Sequence, residues 1–275
     1  MQQDGSDLPN FTVFLMSSLG KKYIMAVTGL VLVGFVIGHM AGNLQMFLHS
    51  DWMNEYAYKL QHFPYGLLWV VRAVLLGAVV AHVWTAVLLV IDNRRARPQS
   101  YAINKPLQAS FASRTMRWSG LILLAFIIFH ILHFTVQSVH PEFQELTVSL
   151  QGAQDAEGNS HSRTLWGVYD HLSAHGQFPD SPALQVHDVY SMVAIGFSRQ
   201  FWYVSAFYII AMALLCIHLS HGISSMFQSL GLRNASLRRR LDLIAIVIGI
   251  ILFIGFSSIP AASLLGIIEP IQALQ

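Results

Sequence analysis

Five uninterrupted apolar runs, roughly Tyr23 to Leu48, Tyr65 to Ile91, Trp118 to Val139, Phe201 to Phe227 and Leu243 to Ile259, leave this chain few ways to fold. Each is near or above the ~20 residues that carry an α-helix across a bilayer core. In hydrocarbon every backbone N–H and C=O must be satisfied internally, which leaves only helices and closed barrels. Barrel strands alternate apolar with polar residues, and these runs do not. At 54% hydrophobic and 11% charged over 275 residues, the chain is also too apolar for a soluble domain. The expected fold is all-α: a polytopic membrane protein of five transmembrane helices, one domain over residues 1–275. The opening MQQDGSDLPNF has neither a basic stretch nor a small-residue cleavage site, so no signal peptide is expected and the first run is kept as a span.

Basic residues set the expected orientation. Lys21 and Lys22 precede the first run. Arg94, Arg95, Arg97, Lys105, Arg114 and Arg117 lie between the second and third, and Arg233, Arg238, Arg239 and Arg240 between the fourth and fifth. Twelve of the sixteen Lys and Arg thus share one side, which the positive-inside rule makes cytoplasmic, with the segment 1–22 inside and the C-terminus outside. The other side carries Lys59, Arg163, Arg199 and the longest loop, about 140–200. Cys216 is the single cysteine, so no intrachain disulfide braces that loop. The sequence pI of 8.7 arises in the cytoplasmic loops and calls for membrane lipid, not nucleic acid, as the partner.

Four histidines sit inside the first four runs, one in each: His39, His82, His130 and His218. An ionisable residue in hydrocarbon is costly and usually functional. Counted from the ends of the runs, His39 and His130 are each nine residues from the outer end, while His82 and His218 are each nine from the inner end. At the helical rise the two levels differ by roughly 10 Å. Two bis-imidazole sites stacked in a four-helix bundle follow, the outer between helices I and III and the inner between II and IV. Two b-type haems suit that arrangement, because neutral imidazoles filling both axial positions favour electron transfer over oxygen binding. A lone intramembrane histidine is as readily a packing or proton-relay residue; the fourfold placement is what raises the set above that reading.

Other residues carry weaker signals. His133 and His221 lie three residues beyond His130 and His218, on nearly the same faces, and match their partners' depth less well. Arg72, seven residues into helix II, either snorkels to the outer interface or pairs with haem propionates; Arg117, at the inner start of helix III, is open to the same two readings. Gly34 and Gly38 form a G-x-x-x-G that permits close helix packing or leaves room for a flat macrocycle. His171 and His175, at i, i+4 in the long loop, leave a weak metal-site option.

The segments SSLGKKYIMAVTGLVLVGFVIGHMAGNLQ, PYGLLWVVRAVLLGAVVAH, MRWSGLILLAFIIFHILHFT and, above all, DVYSMVAIGFSRQFWYVSAFYIIAMALLCIHLSHGISSMFQSLGL resemble the diheme cytochrome b membrane anchor of bacterial succinate dehydrogenases and fumarate reductases, over about Ser17 to Pro260. The resemblance implies that His39, His82, His130 and His218 are haem ligands, with helix I paired to III and II to IV, and it favours His130 over His133 and His218 over His221. It implies a flavoprotein with covalent FAD and an iron–sulfur protein docked on the cytoplasmic face of a bacterial inner membrane, with electrons reaching a quinone, typically menaquinone. The quinone site is expected near the outer haem, around Arg72 and the start of helix II, where the loop Asp51 to Pro64 and the long outer loop can cover it. Oligomerisation of the whole complex stays open, as does the direction, succinate oxidation or fumarate reduction.

One departure bears on energetics. Some fumarate reductases of that family carry a glutamate two residues before the helix IV ligand, and Cys216 stands there in this chain, with no Asp or Glu at mid-depth in any span. A transmembrane carboxylate relay is therefore not expected. A bc-type cytochrome b would place two ligands on each of two helices, unlike the pattern here. Cytochrome b subunits of hydrogenases or formate dehydrogenases, and a haem-free transporter or structural anchor, remain the alternatives; the chain shows no internal repeat of the transporter kind.

Overall fold

The computed structural model describes residues 10–96, 110–150, 153–154, 160–161 and 184–271. The chain is an all-α polytopic membrane protein. Its five helices long and apolar enough to cross a membrane cover Ser18–Phe47, Pro64–Arg95, Phe111–Thr135, Arg199–Ser229 and Ser236–Leu265. Among the described residues the helices are α1 (Asn10–Met16), α2 (Ser18–Asn43), α3 (Ser50–Gln61), α4 (Leu67–Arg95), α5 (Phe111–His130), α6 (Val189–Gly196), α7 (Trp202–Ser229) and α8 (Ala235–Leu265). Large apolar side chains stand exposed along the spans, as Val70, Val74, Leu76, Val80, Trp84 and Val87 do on α4. A surface of that kind is at home in lipid.

Side-chain caps set several helix starts. Ser17 Oγ accepts from the Gly20 N–H at 3.0 Å ahead of α2, and Ser110 Oγ accepts from Ser113 N–H at 3.2 Å ahead of α5. Asn234 Oδ1 accepts from Leu237 N–H at 2.8 Å and opens α8. Such caps satisfy amide protons that have no intrahelical acceptor. Gly231, at φ +74°, closes α7: the Leu232 N–H reaches back to Phe227 O at 2.9 Å, a Schellman end that favours glycine.

Helix ends run past the expected apolar limits. α4 continues through Arg94 and Arg95, and the fifth helix starts among Arg238, Arg239 and Arg240 and passes through Pro260 to Leu265. Apolarity marks the hydrocarbon, whereas the hydrogen-bond ladder continues into the headgroup layer. The third span starts earlier than expected, at Phe111, and also ends earlier. α5 passes at His130 into a π turn, Ile131–Thr135, where Val136 N–H bonds Ile131 O at 2.8 Å, and Gln137 at φ +59° ends it before Val139. The segment expected as a loop from Asp51 to Pro64 is mostly α3, capped by His49 Nδ1 on Asp51 N–H at 3.2 Å. The segment expected as a long outer loop also holds structure. β1 (Thr147–Leu150) pairs antiparallel with a strand at Leu184–His187, Thr147 opposite His187, and α6 follows with Ser191 to Gly196 buried. His171 and His175 lie outside the described residues.

The chain packs as two compact units. The first takes its described residues from Met1–Ile37, Trp69–Ser119 and Leu215–Ile250; the second from Gly38–Leu68, Gly120–Leu214 and Ile251–Gln275. In the first, Lys21 Nζ pairs with Asp92 Oδ2 at 2.6 Å, tying α2 to α4, and Arg233 pairs with Asp242 at 2.9 Å. The second contains a buried polar joint. Asn54 Nδ2 on α3 donates to Asp188 Oδ1 at 3.0 Å, Ser191 N–H donates to the same oxygen at 2.9 Å, and Tyr190 N–H donates to Asn54 Oδ1 at 2.9 Å. Asn54, Asp188 and Ser191 are all fully buried. Burial, and next the Asp188 charge, push the Tyr190 phenol above its ordinary range.

Candidate cofactor-binding site

Each unit holds one of the two histidine pairs. The first contains His82 and His218; the second contains His39 and His130.

His82 projects from α4 toward α2, where its Nδ1 lies 3.2 Å from Thr28 Oγ1. The Thr28 hydroxyl donates its one proton to Ile24 O at 2.7 Å, a carbonyl that can only accept. With that proton committed, the Thr28 oxygen can accept from a His82 ring protonated at Nδ1, the tautomer that leaves Nε2 as the bare nitrogen of a neutral imidazole. His218 on α7 repeats the arrangement against α5. Its Nδ1 lies 3.1 Å from Ser119 Oγ, and that hydroxyl donates to Met116 O at 3.1 Å. In their neutral form both rings then present Nε2 as the available electron pair, the form in which imidazole ligates a metal. Gly29, next to Thr28, lies against the His82 ring: a Cβ there would meet His82 Cε1 at 3.5 Å, an ordinary van der Waals contact.

In the second unit the rings of His39 on α2 and His130 on α5 meet edge to face, centroids 5.8 Å apart and planes at 80°. Two imidazoles on opposite sides of one iron, each bonded at about 2 Å, would place their centroids roughly 6 Å apart. The observed spacing fits that donor set. Asn43 Nδ2 donates to His39 O at 2.8 Å one turn beyond the ring. His130 Nδ1 lies 3.3 Å from Tyr208 Oη, and the same hydroxyl lies 3.1 Å from His133 Nδ1.

The neighbouring histidines differ from these. His133 is fully buried, its ring 3.9 Å from that of Phe134 and boxed in by Phe129, Phe143, Phe197 and His140. Its Nε2 has no hydrogen-bond partner among the described residues. This ring is packed among aromatic side chains, whereas His130 meets the candidate partner His39. His221 is half-buried, one turn beyond His218. Arg72 is exposed and its guanidinium lies 4.8 Å over the Trp69 ring, a cation–π contact; Arg117 is exposed. Gly34 and Gly38 face open space, since a Cβ on either would meet nothing within 4 Å. Close helix packing is therefore not what that G-x-x-x-G does. Close approach occurs at Gly249 instead, whose added Cβ would come within 3.1 Å of Cys216 O.

Among the described residues no three His, Cys, Asp or Glu side chains converge as a metal cage. Such a cage is the signature of a bare ion; a bis-imidazole haem asks the protein for two ligands. Thr28, Ser119 and Tyr208 were not legible as site residues, since a lone hydroxyl in an apolar run reads as a packing residue that bonds its own helix. The signal that would have exposed two of them is a shared spacing: Thr28-Gly29 precedes His39 by eleven residues, and Ser119-Gly120 precedes His130 by eleven. Compared with protein-family models, curated proteins and solved structures, the chain matches none.

Proposed function

We propose that this chain is the membrane anchor and electron-transfer subunit of a bacterial succinate:quinone oxidoreductase, holding two b-type haems in a bundle of its first four spans. The observation that carries the reading is the state of the four intramembrane histidines: His82 and His218 with Nδ1 committed to hydroxyls, His39 and His130 ring to ring at 5.8 Å. Haem bound at these pairs would supply one-electron transfer between partner subunits and a quinone.

The chain's own residues hold neutral imidazoles at fixed orientation and surround them with apolar side chains that exclude water. The side bearing Lys21, Lys22, Arg94, Arg95, Arg114, Arg117 and Arg233 is cytoplasmic in this reading and receives the flavoprotein, with covalent FAD, and the iron–sulfur protein. Menaquinone reacts near the His39/His130 pair. Arg72, exposed close to the start of the second span, offers its guanidinium to an anionic propionate or a quinone oxygen.

A pyridine haemochrome assay on the purified complex tests the proposal. Two protohaems per chain are expected, reducible by succinate when the flavoprotein and iron–sulfur subunits are present. No protohaem in the intact complex would overturn it and leave a haem-free anchor or transporter.

A further inference from the structure

Two separate hydroxyls perform the same task in the first unit, and the sequence repeats the device. Thr28 on α2 and Ser119 on α5 each spend their proton on a carbonyl of their own helix and turn the oxygen's lone pair to an imidazole Nδ1–H on the next membrane span, His82 on α4 and His218 on α7. Each is followed by glycine, and each stands eleven residues ahead of a candidate ligand on its own helix, His39 or His130. Eleven residues are three helical turns plus about 20°, so hydroxyl and imidazole share a face of the helix roughly 16 Å apart. Helices α2 and α5 are therefore equivalent parts: each offers an imidazole at one level and, at the other, an acceptor for its neighbour's imidazole.

We infer that Thr28 and Ser119 are positioning residues of the His82/His218 haem, holding both axial imidazoles in the Nδ1–H tautomer and setting that haem's potential apart from the other's. The inference rests on the two-haem reading and adds to it the residues that act through the ligands. A neutral hydroxyl in acceptor mode takes up the Nδ1–H without abstracting the proton, so each ring stays neutral while its Nε2 gains basicity. A more basic ligand favours ferric over ferrous iron, which lowers the potential. The second pair is served differently. Tyr208 Oη is shared between His130 and His133, so with His130 bound through Nε2 its Nδ1–H donates to the phenol and the phenol's own proton goes to His133 Nδ1. The first pair thus has one aliphatic hydroxyl for each ring, whereas His130 has a phenol that it shares with His133.

The test is a potentiometric titration of the intact three-subunit complex carrying Thr28→Val or Ser119→Ala, with protohaem per chain and low-temperature EPR measured on the same samples. Both changes remove the hydroxyl at nearly constant volume, and Thr28→Ser and Ser119→Thr restore it. Loss of one acceptor should weaken ferric relative to ferrous binding about tenfold, an upward shift of about 59 mV confined to one haem. The EPR signal of that haem alone should move, and the restoring variants should return both readings to those of the unsubstituted complex. A variant that keeps one haem per chain, the one with the unshifted potential, supports the same assignment. Two haems per chain with both potentials and both EPR signals unchanged in Thr28→Val and Ser119→Ala would overturn it, as would a shift confined to the haem lost in a His39→Leu variant. Absence of protohaem from the unsubstituted complex would instead sink the two-haem reading, so the two failures are separable.

Discussion

Asp188 does several jobs with one carboxylate. Its Oδ1 caps α6 through Ser191 N–H and accepts from Asn54 on α3, while Oδ2 is buried with no partner among the described residues. A buried carboxylate with half of its acceptors unused is stable only because the other half is well bonded. Asp188→Ala removes the cap and strands the Asn54 amide, at a cost of about 2 to 3 kcal/mol. Asp188→Asn keeps an oxygen for both donors and should cost less than half as much. Thermal unfolding of the detergent-purified chain reads the difference, and equal losses for the two variants would show that charge, not acceptance, is what Asp188 supplies. None of this joint was visible in the sequence, where Asn54 and Asp188 fall in stretches read as loop. They lie 134 residues apart, and neither has periodic neighbours that announce burial. The four ligand candidates were legible because histidine is so rarely left in hydrocarbon; Thr28 and Ser119 were not, because threonine and serine are tolerated there by bonding their own helix.

Elements were legible in proportion to how much of them the bilayer dictates. Long apolar runs gave every span, and errors gathered where other forces set the boundary: charged turns at Arg94 and Arg238, the π turn after His130, and the amphipathic α3 outside the apolar runs. Gly34 and Gly249 show the same limit at the level of packing, since a glycine in an apolar run does not say what it faces. Gly249 lies against the Cys216 backbone, so Gly249→Ala forces α7 and α8 apart and should destabilise by about 1 to 3 kcal/mol. Gly34→Ala meets nothing within 4 Å and should leave thermal stability of the chain unchanged. Parallel melts of the two variants decide it. If Gly34→Ala proves the more damaging, the open space beside α2 is filled in the assembled protein, and protohaem content of that variant identifies whether the occupant is haem.

At the scale of the whole molecule, the distribution of basic residues carries an orientation that folding of the separate helices does not depend on. Lys21 and Arg233 are each committed to a carboxylate, Asp92 and Asp242, within the first unit, yet the remaining arginines there outnumber the acids and keep a net positive face. Moving that face through the bilayer would desolvate several cations at once, which is why the proposed orientation keeps it on the side of synthesis. The proposed orientation thus predicts opposite labelling of two sites. In a Cys216→Ser background, a cysteine placed at exposed Ser236 should react with a membrane-impermeant maleimide only in inverted vesicles, and one at exposed Glu145 only in intact spheroplasts. The reverse pattern would put the basic face outside, where no flavoprotein could dock from the cytoplasm. The subunit partnership would then fall even with both haems in place, because electrons derived from succinate would have no entry on that side.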